Sequence, residues 1–187
     1  LLKKASQLDI AIICPLHGPV LTENLGYYIG LYDTWSKYEP EEEGVVVAYA
    51  SIHGNTAEVA RTFADMLRAK SDMKVVVYDL SRSDMAKAIE DAYRYSRLVV
   101  AAASYDGDVF PVMHDFLHHL AIKNYSKRRI GIIENGSWAP SAGRAMRAII
   151  DTFKGVTVAE SMVTIMSSLK DSDIPALERL ADEVLAE

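Results

Sequence analysis

One cysteine, Cys14, stands in a chain of 187 residues, so no internal disulfide framework can form and a reducing cytoplasm is the expected compartment. Cations are in the minority: 20 Lys and Arg face 26 Asp and Glu, for a formal net charge of -6. A nucleic-acid surface needs clustered Lys and Arg, and no basic stripe interrupts this acidic background. No apolar run reaches the roughly 20 residues that cross a bilayer, so a membrane partner is not expected either. Repeats and low-complexity tracts are absent. The chain opens on Leu1 without a charged leader or a cleavage pattern, and reads as a piece of something longer rather than a secretory precursor. What is present is apolar residue in quantity, 50% of the chain against 25% charged, enough for one sizeable core and an appendage.

The appendage comes first. "LDIAIICPLHGPV" (8–20) is a short apolar run that ends in a Pro-Leu-His-Gly-Pro turn, and "LGYYIGLYDTWSKY" (25–38) spaces its aromatic and aliphatic residues as a helix does. "EPEEEG" (39–44) reads as a solvated linker, which puts a domain boundary between 43 and 44. Beyond it, apolar runs at 45–50, 73–78, 97–103, 129–134 and 156–163 alternate with helical patterns near 56–70, 84–95, 111–123, 142–153 and 173–186. Near-continuous Val and Ile runs suit strands buried on both faces. Five such strands, each followed by a helix, predict an α/β fold with a doubly wound parallel sheet.

Ligands of such sheets bind beyond the carboxyl ends of the strands, where the strand order reverses. The loops to weigh therefore follow the first, third and fourth strands. The first is Ser51, Ile52, His53, Gly54, Asn55 and Thr56: a glycine that bends tightly, two hydroxyl donors, and a helix start with unpaired N–H groups at its positive dipole end. This is a socket for a phosphate. It has neither the lysine and spacing of a nucleotide-triphosphate loop nor a GxGxxG, and a capped helix start is the plain alternative. The second loop holds Ser104, Tyr105, Asp106, Gly107 and Asp108, and the third Asn135, Gly136, Ser137, Trp138 and Ala139. One aromatic beside small residues in each, on the same sheet edge as the phosphate socket, suits a planar ring on a phosphorylated tail. FMN has that shape.

On these residues the chain resembles the flavodoxin-like domain of the flavodiiron proteins, also called A-type flavoproteins. "SIHGNT" is similar to the flavodoxin phosphate loop, with His53 where many have Thr; "ENGSWAP" is similar to the family's third flavin loop; "SYDGDVFP" matches the second loosely. The resemblance covers 44–187 and implies a flavodoxin-like strand order of 2-1-3-4-5. It also gives meaning to "CPLHGPV", which looks like the last iron-ligating turn of the metallo-β-lactamase-like domain that precedes the flavin domain in this family. His17 matches that ligand, and residues 1–43 would be the remnant of that domain plus linker. The resemblance implies FMN in this chain and a diiron centre in the whole protein, which would reduce dioxygen to water or nitric oxide to nitrous oxide. Electrons would come from rubredoxin or an NADH-linked reductase, and a homodimer is implied. A carboxylate-bridged iron pair needs several ligands, and no further cluster accompanies His17. Two other classes stay open: a free-standing NAD(P)H:quinone reductase and a flavin-free binding or signalling module.

Lesser features have ordinary explanations. His114 and His118 are four apart on one helical face without a partner ligand from elsewhere, which describes a solvated face. Asp79, Asp106 and Asp108 bring a phospho-accepting receiver domain to mind, yet the acidic pair that such a site needs after the first strand is replaced by "SIHGNT". Met162 and Met166 are expected to pack in or beside the last strand. Asp173 is the expected cap of the final helix, with Pro175 in its first turn.

Overall fold

Val45, Val46 and Val47 occupy consecutive positions, so both faces of their strand must be covered by apolar atoms, and all three are fully buried. The computed structural model describes residues 2–5 and 7–186. In chain order the elements are α1 (Leu2–Ala5), α2 (Leu25–Ser36), β1 (Glu42–Ala50), α3 (Asn55–Lys70), β2 (Lys74–Asp79), α4 (Met85–Arg94), β3 (Tyr95–Tyr105), β4 (Asp108–Val109), α5 (Pro111–Ile122), β5 (Arg129–Gly136), α6 (Ala142–Ile150), β6 (Thr157–Met166) and α7 (Ile174–Leu185), with a short 3-10 turn, Asp171–Asp173, before the last helix.

The five long strands are parallel and ordered β2-β1-β3-β5-β6, the order 2-1-3-4-5 when only these strands are numbered. A sixth, two-residue strand, β4, pairs antiparallel with the end of β3. The strand pleat sorts the core into two layers. Val46, Ala48 and Ala50 face Ala88 and Ala92 of α4, Phe116 and Leu120 of α5, and Met146 and Ile150 of α6. Val45, Val47 and Tyr49 face Val59, Phe63 and Leu67 of α3 and Leu177, Leu180 and Val184 of α7. The order reverses between β1 and β3, so the loops after these strands diverge and leave a crevice.

Several boundaries differ from expectation. Glu42 and Glu43 are not linker but the start of β1, because each meets an arginine from β3 or its approach: Arg94 Nη2 donates to Glu42 at 2.6 Å, and Arg97 pairs with Glu43. Ser104, Tyr105, Asn135 and Gly136 belong to strand ends rather than loops, since ladder pairing continues through Ala103↔Asn135 and Gly136↔Met166. Asp173 does not cap α7; its carboxylate accepts from the Lys170 N–H at 2.9 Å and closes the preceding 3-10 turn. Upstream, an isolated bridge between Ile13 and Leu21 closes the Pro-Leu-His-Gly-Pro turn. The spacing in 25–38 does form a helix, but α2 buries no residue, and Tyr27 and Trp35 stay 64% and 49% exposed.

Candidate functional site

The first wall of the crevice is the β1–α3 turn. Ser51 is buried, and its Oγ accepts from the Gly54 N–H at 3.1 Å, which folds the turn back on itself. Gly54 has φ +97°, a conformation unfavourable for a residue with a Cβ, although a Cβ there would meet nothing within 4 Å. The glycine is thus demanded by backbone torsion and not by crowding. No side chain caps α3; its first backbone bond runs from the Glu58 N–H to the Gly54 carbonyl at 2.9 Å. The plain capped-helix alternative is therefore not what this turn adopts. The first-turn amides and the positive end of the helix dipole are left facing out of the turn, the arrangement that receives an anion.

The second wall is a hairpin. Asp106 and Gly107 both have positive φ, 49° and 75°, between the pairs Tyr105↔Asp108 and Ser104↔Val109. Two central residues of positive φ make a two-residue type I′ turn, for which Asp-Gly is a strong short-range signal. The sequence carries that signal locally, and the stretch forms a hairpin rather than the expected loop. Asp108 consequently turns from the crevice: its carboxylate accepts from the Val109 N–H at 2.7 Å. Tyr105 lies edge-on to Phe110 with ring centroids 5.7 Å apart and stays 44% exposed.

The third wall rises from β5. Asn135 spends its amide on the Ser167 carbonyl at 2.8 Å, which ties this wall to the end of β6. A Cβ on Gly136 would come within 2.9 Å of Pro140 Cα, so the glycine serves the loop's own closure. Trp138 projects at 89% exposure. A half-buried acceptor and a buried one anchor the adjoining start of α6. Ser104 Oγ accepts from the N–H groups of Ser141 and Ala142 at 2.8 and 3.1 Å, and Glu134 accepts from the Gly143 N–H at 2.7 Å.

Between these walls lies a cavity of about 410 Å³, within the range of small-molecule sites. Every residue named from the sequence in the three loops lines it except Gly54 and Asp108. Gly54 instead borders an adjoining depression that shares Ser51, Ile52 and His53. Ser141, within the third stretch (135–143), also lines the cavity, as do Ala103 and Ser167, which sequence reasoning missed. Ser167 in particular lies beyond β6, a strand whose loop the order-reversal rule does not single out. His17 is exposed in its turn, as are His114 and His118, whose rings stack 6.4 Å apart. Among the described residues no group of three or more His, Cys, Asp or Glu could hold a metal ion.

The flavodoxin family model matches residues 47–164, more than half of the chain and all three walls. The chain belongs to the flavodoxin family. This flavodoxin-family chain is 22% identical over 186 residues to an uncharacterised protein of Methanocaldococcus jannaschii, covering 97% of the chain and 47% of the relative. It is 23% identical over 180 residues to a nitric oxide reductase of Moorella thermoacetica, covering 96% and 44%. Among solved structures, rubredoxin oxygen:oxidoreductase of Desulfovibrio gigas superposes with a TM-score of 0.87 at 15% identity, over 97% of this chain and 46% of that one. Other structural neighbours of this chain are flavodiiron proteins of Thermotoga maritima and Giardia intestinalis. The chain spans less than half the length of the curated relatives it matches. No helix among the described residues is long and apolar enough to cross a membrane.

Proposed function

We propose that this chain is the FMN-binding electron-transfer domain of a flavodiiron oxidoreductase. The observation that carries the reading is the uncapped start of α3, which opens beside Ser51 into a cavity whose other two walls each bring one aromatic residue. The residues present fit the group. A phosphate monoester suits the first-turn amides of α3 without a metal ion, and the Ser51 hydroxyl, already accepting from Gly54, still has its proton to donate. The ring would lie between the second and third walls, where Tyr105 and Trp138 can cover its face.

When bound, FMN supplies the redox chemistry. The chain supplies position and field. Asp106 at the hairpin and the net charge of -6 oppose further negative charge on the ring, which favours giving electrons away. No side chain acts as nucleophile or base.

In the whole protein, the residues from Glu42 onward form this domain and those before it the end of a preceding metallo-β-lactamase-like domain. The domain would pass electrons, received from rubredoxin or an NADH-linked reductase, to a diiron site supplying the chemistry for reduction of dioxygen or nitric oxide, and His17 would be this chain's contribution to holding that site. A cytoplasmic homodimer fits the family resemblance.

The test is FMN titration of the flavin-free chain. At a hundredfold excess over Kd the bound state gains about 2.7 kcal/mol, which raises Tm by roughly 5–10 °C in a protein of this size. A colourless protein whose Tm does not move would overturn the reading.

A further inference from the structure

Glu134 is an unexpected residue at the end of an apolar strand. It follows Ile132 and Ile133 on β5 and is 6% exposed. Its two oxygens have separate partners: one accepts from the Gly143 N–H at 2.7 Å, the other from the Thr164 hydroxyl at 2.8 Å. Among the described residues no Lys, Arg or His forms an ion pair with it. A carboxylate in this setting is held by dipoles alone, and its negative charge is compensated only by the start of α6 and one hydroxyl.

Its place matters more than its burial. Glu134 pairs in register with Ala102 on β3 and Thr164 on β6. The residues that follow these positions, Ala103, Asn135 and, three further on, Ser167, all line the cavity. Gly143 lies two residues beyond Ser141, which lines it as well. One strand residue is about 3.3 Å, so the backbone of Glu134 sits a single step below the rim, with its carboxylate turned to the start of α6 and to β6. No room exists for a larger neighbour: a Cβ on Gly143 would come within 2.9 Å of the Glu134 carboxyl group.

Resting on the FMN reading above, we propose that Glu134 is a positioning residue with a second duty. It pins the third wall to α6 and β6, and it keeps a negative charge without a cationic partner one strand step from the cavity, so that reduced FMN is bound less tightly than oxidised FMN. Charge and scaffold can be separated by two substitutions of opposite sign. Glu134→Gln keeps shape and most hydrogen bonding while removing the charge. Thr164→Val keeps the charge and removes a dipole that offsets it, at an exposed position where folding tolerates change.

The measurement is the midpoint potential of FMN on the reconstituted chain, with Kd for oxidised FMN from fluorescence quenching. Glu134→Gln should raise the potential, equivalent to a gain of about tenfold in affinity for reduced over oxidised FMN, and Thr164→Val should lower it by a smaller factor. A purely scaffolding role would weaken both redox states alike and leave both potentials unmoved, which would overturn the inference while the FMN reading stood. If Glu134→Gln does not fold, the sign of the Thr164→Val shift decides. Failure of the unsubstituted chain to take up FMN overturns both.

Discussion

Gly54 shows how a single torsion can define a site. With φ +97° and open space around its missing Cβ, the position rejects side chains through the backbone and not through a clash. Gly54→Ala should therefore cost about 1–2 kcal/mol of stability and weaken FMN binding moderately, because the turn relaxes and the α3 amides swing off target. Gly54→Asp adds a carboxylate at the positive helix end and should abolish measurable binding in the same fluorescence titration. Equal FMN affinity in Gly54→Asp and the unsubstituted chain would mean that the phosphate sits elsewhere. The need for glycine here was legible in "SIHGNT", since a local sequence can announce a local torsion. Glu134 was not legible in the same way. It reads as the polar end of "RIGIIE", and only the arrival of Gly143 and Thr164 turns it into a buried acceptor.

Among the elements, α3 and the β3–β4 hairpin divide the same lesson. The amphipathic pattern of α3 puts Val59, Phe63 and Leu67 on one face, and these pack as their spacing requires. The hairpin carried an equally local signal in Asp106-Gly107, but a dipeptide is short and competes with the reading of a glycine-containing ligand loop. Its consequence is concrete: β4 exists, Asp108 leaves the cavity and Tyr105 is held beside Phe110. Gly107→Ala places a Cβ at φ +75° and should destabilise the chain by about 1 kcal/mol in urea unfolding. Because Tyr105 loses its fixed position, FMN affinity should fall with it, whereas unchanged binding would remove Tyr105 from the ring's neighbourhood.

Across the whole molecule, acidic side chains fasten the sheet to its outer helix. Arg97 is buried, pairs with Glu43 on β1 and donates from Nε to the Val184 carbonyl of α7 at 2.9 Å. Glu183 accepts from the Ser161 N–H of β6 at 2.8 Å and from its hydroxyl. The Arg97 hydrogen bond holds the Glu43 carboxyl below its ordinary value of 4.5, and the Ser161 hydroxyl does the same for Glu183. A carboxylate whose folded pKa is depressed binds its proton more readily in the unfolded chain. Its stabilisation is therefore complete above the ordinary value and is lost as pH falls through the lower folded value. Urea midpoints should be flat above about pH 5 and decline below it. Glu43→Gln should lower the neutral-pH midpoint slightly and flatten that acid decline; an unaltered acid limb would show that the Arg97 pair contributes nothing to the folding equilibrium.

By itself the sequence determined the alternation of strands and helices, the double burial of the sheet, and the three stretches that border the cavity. Each of these follows from periodicity or from torsional demands within a few residues, where chain connectivity does the work of bringing groups together. Only the tertiary structure decided how Glu134 meets Thr164 across 30 residues and how Asn135 reaches Ser167. Those pairings depend on strand register and helix docking, which are settled by the packing of the entire core and have no local signature.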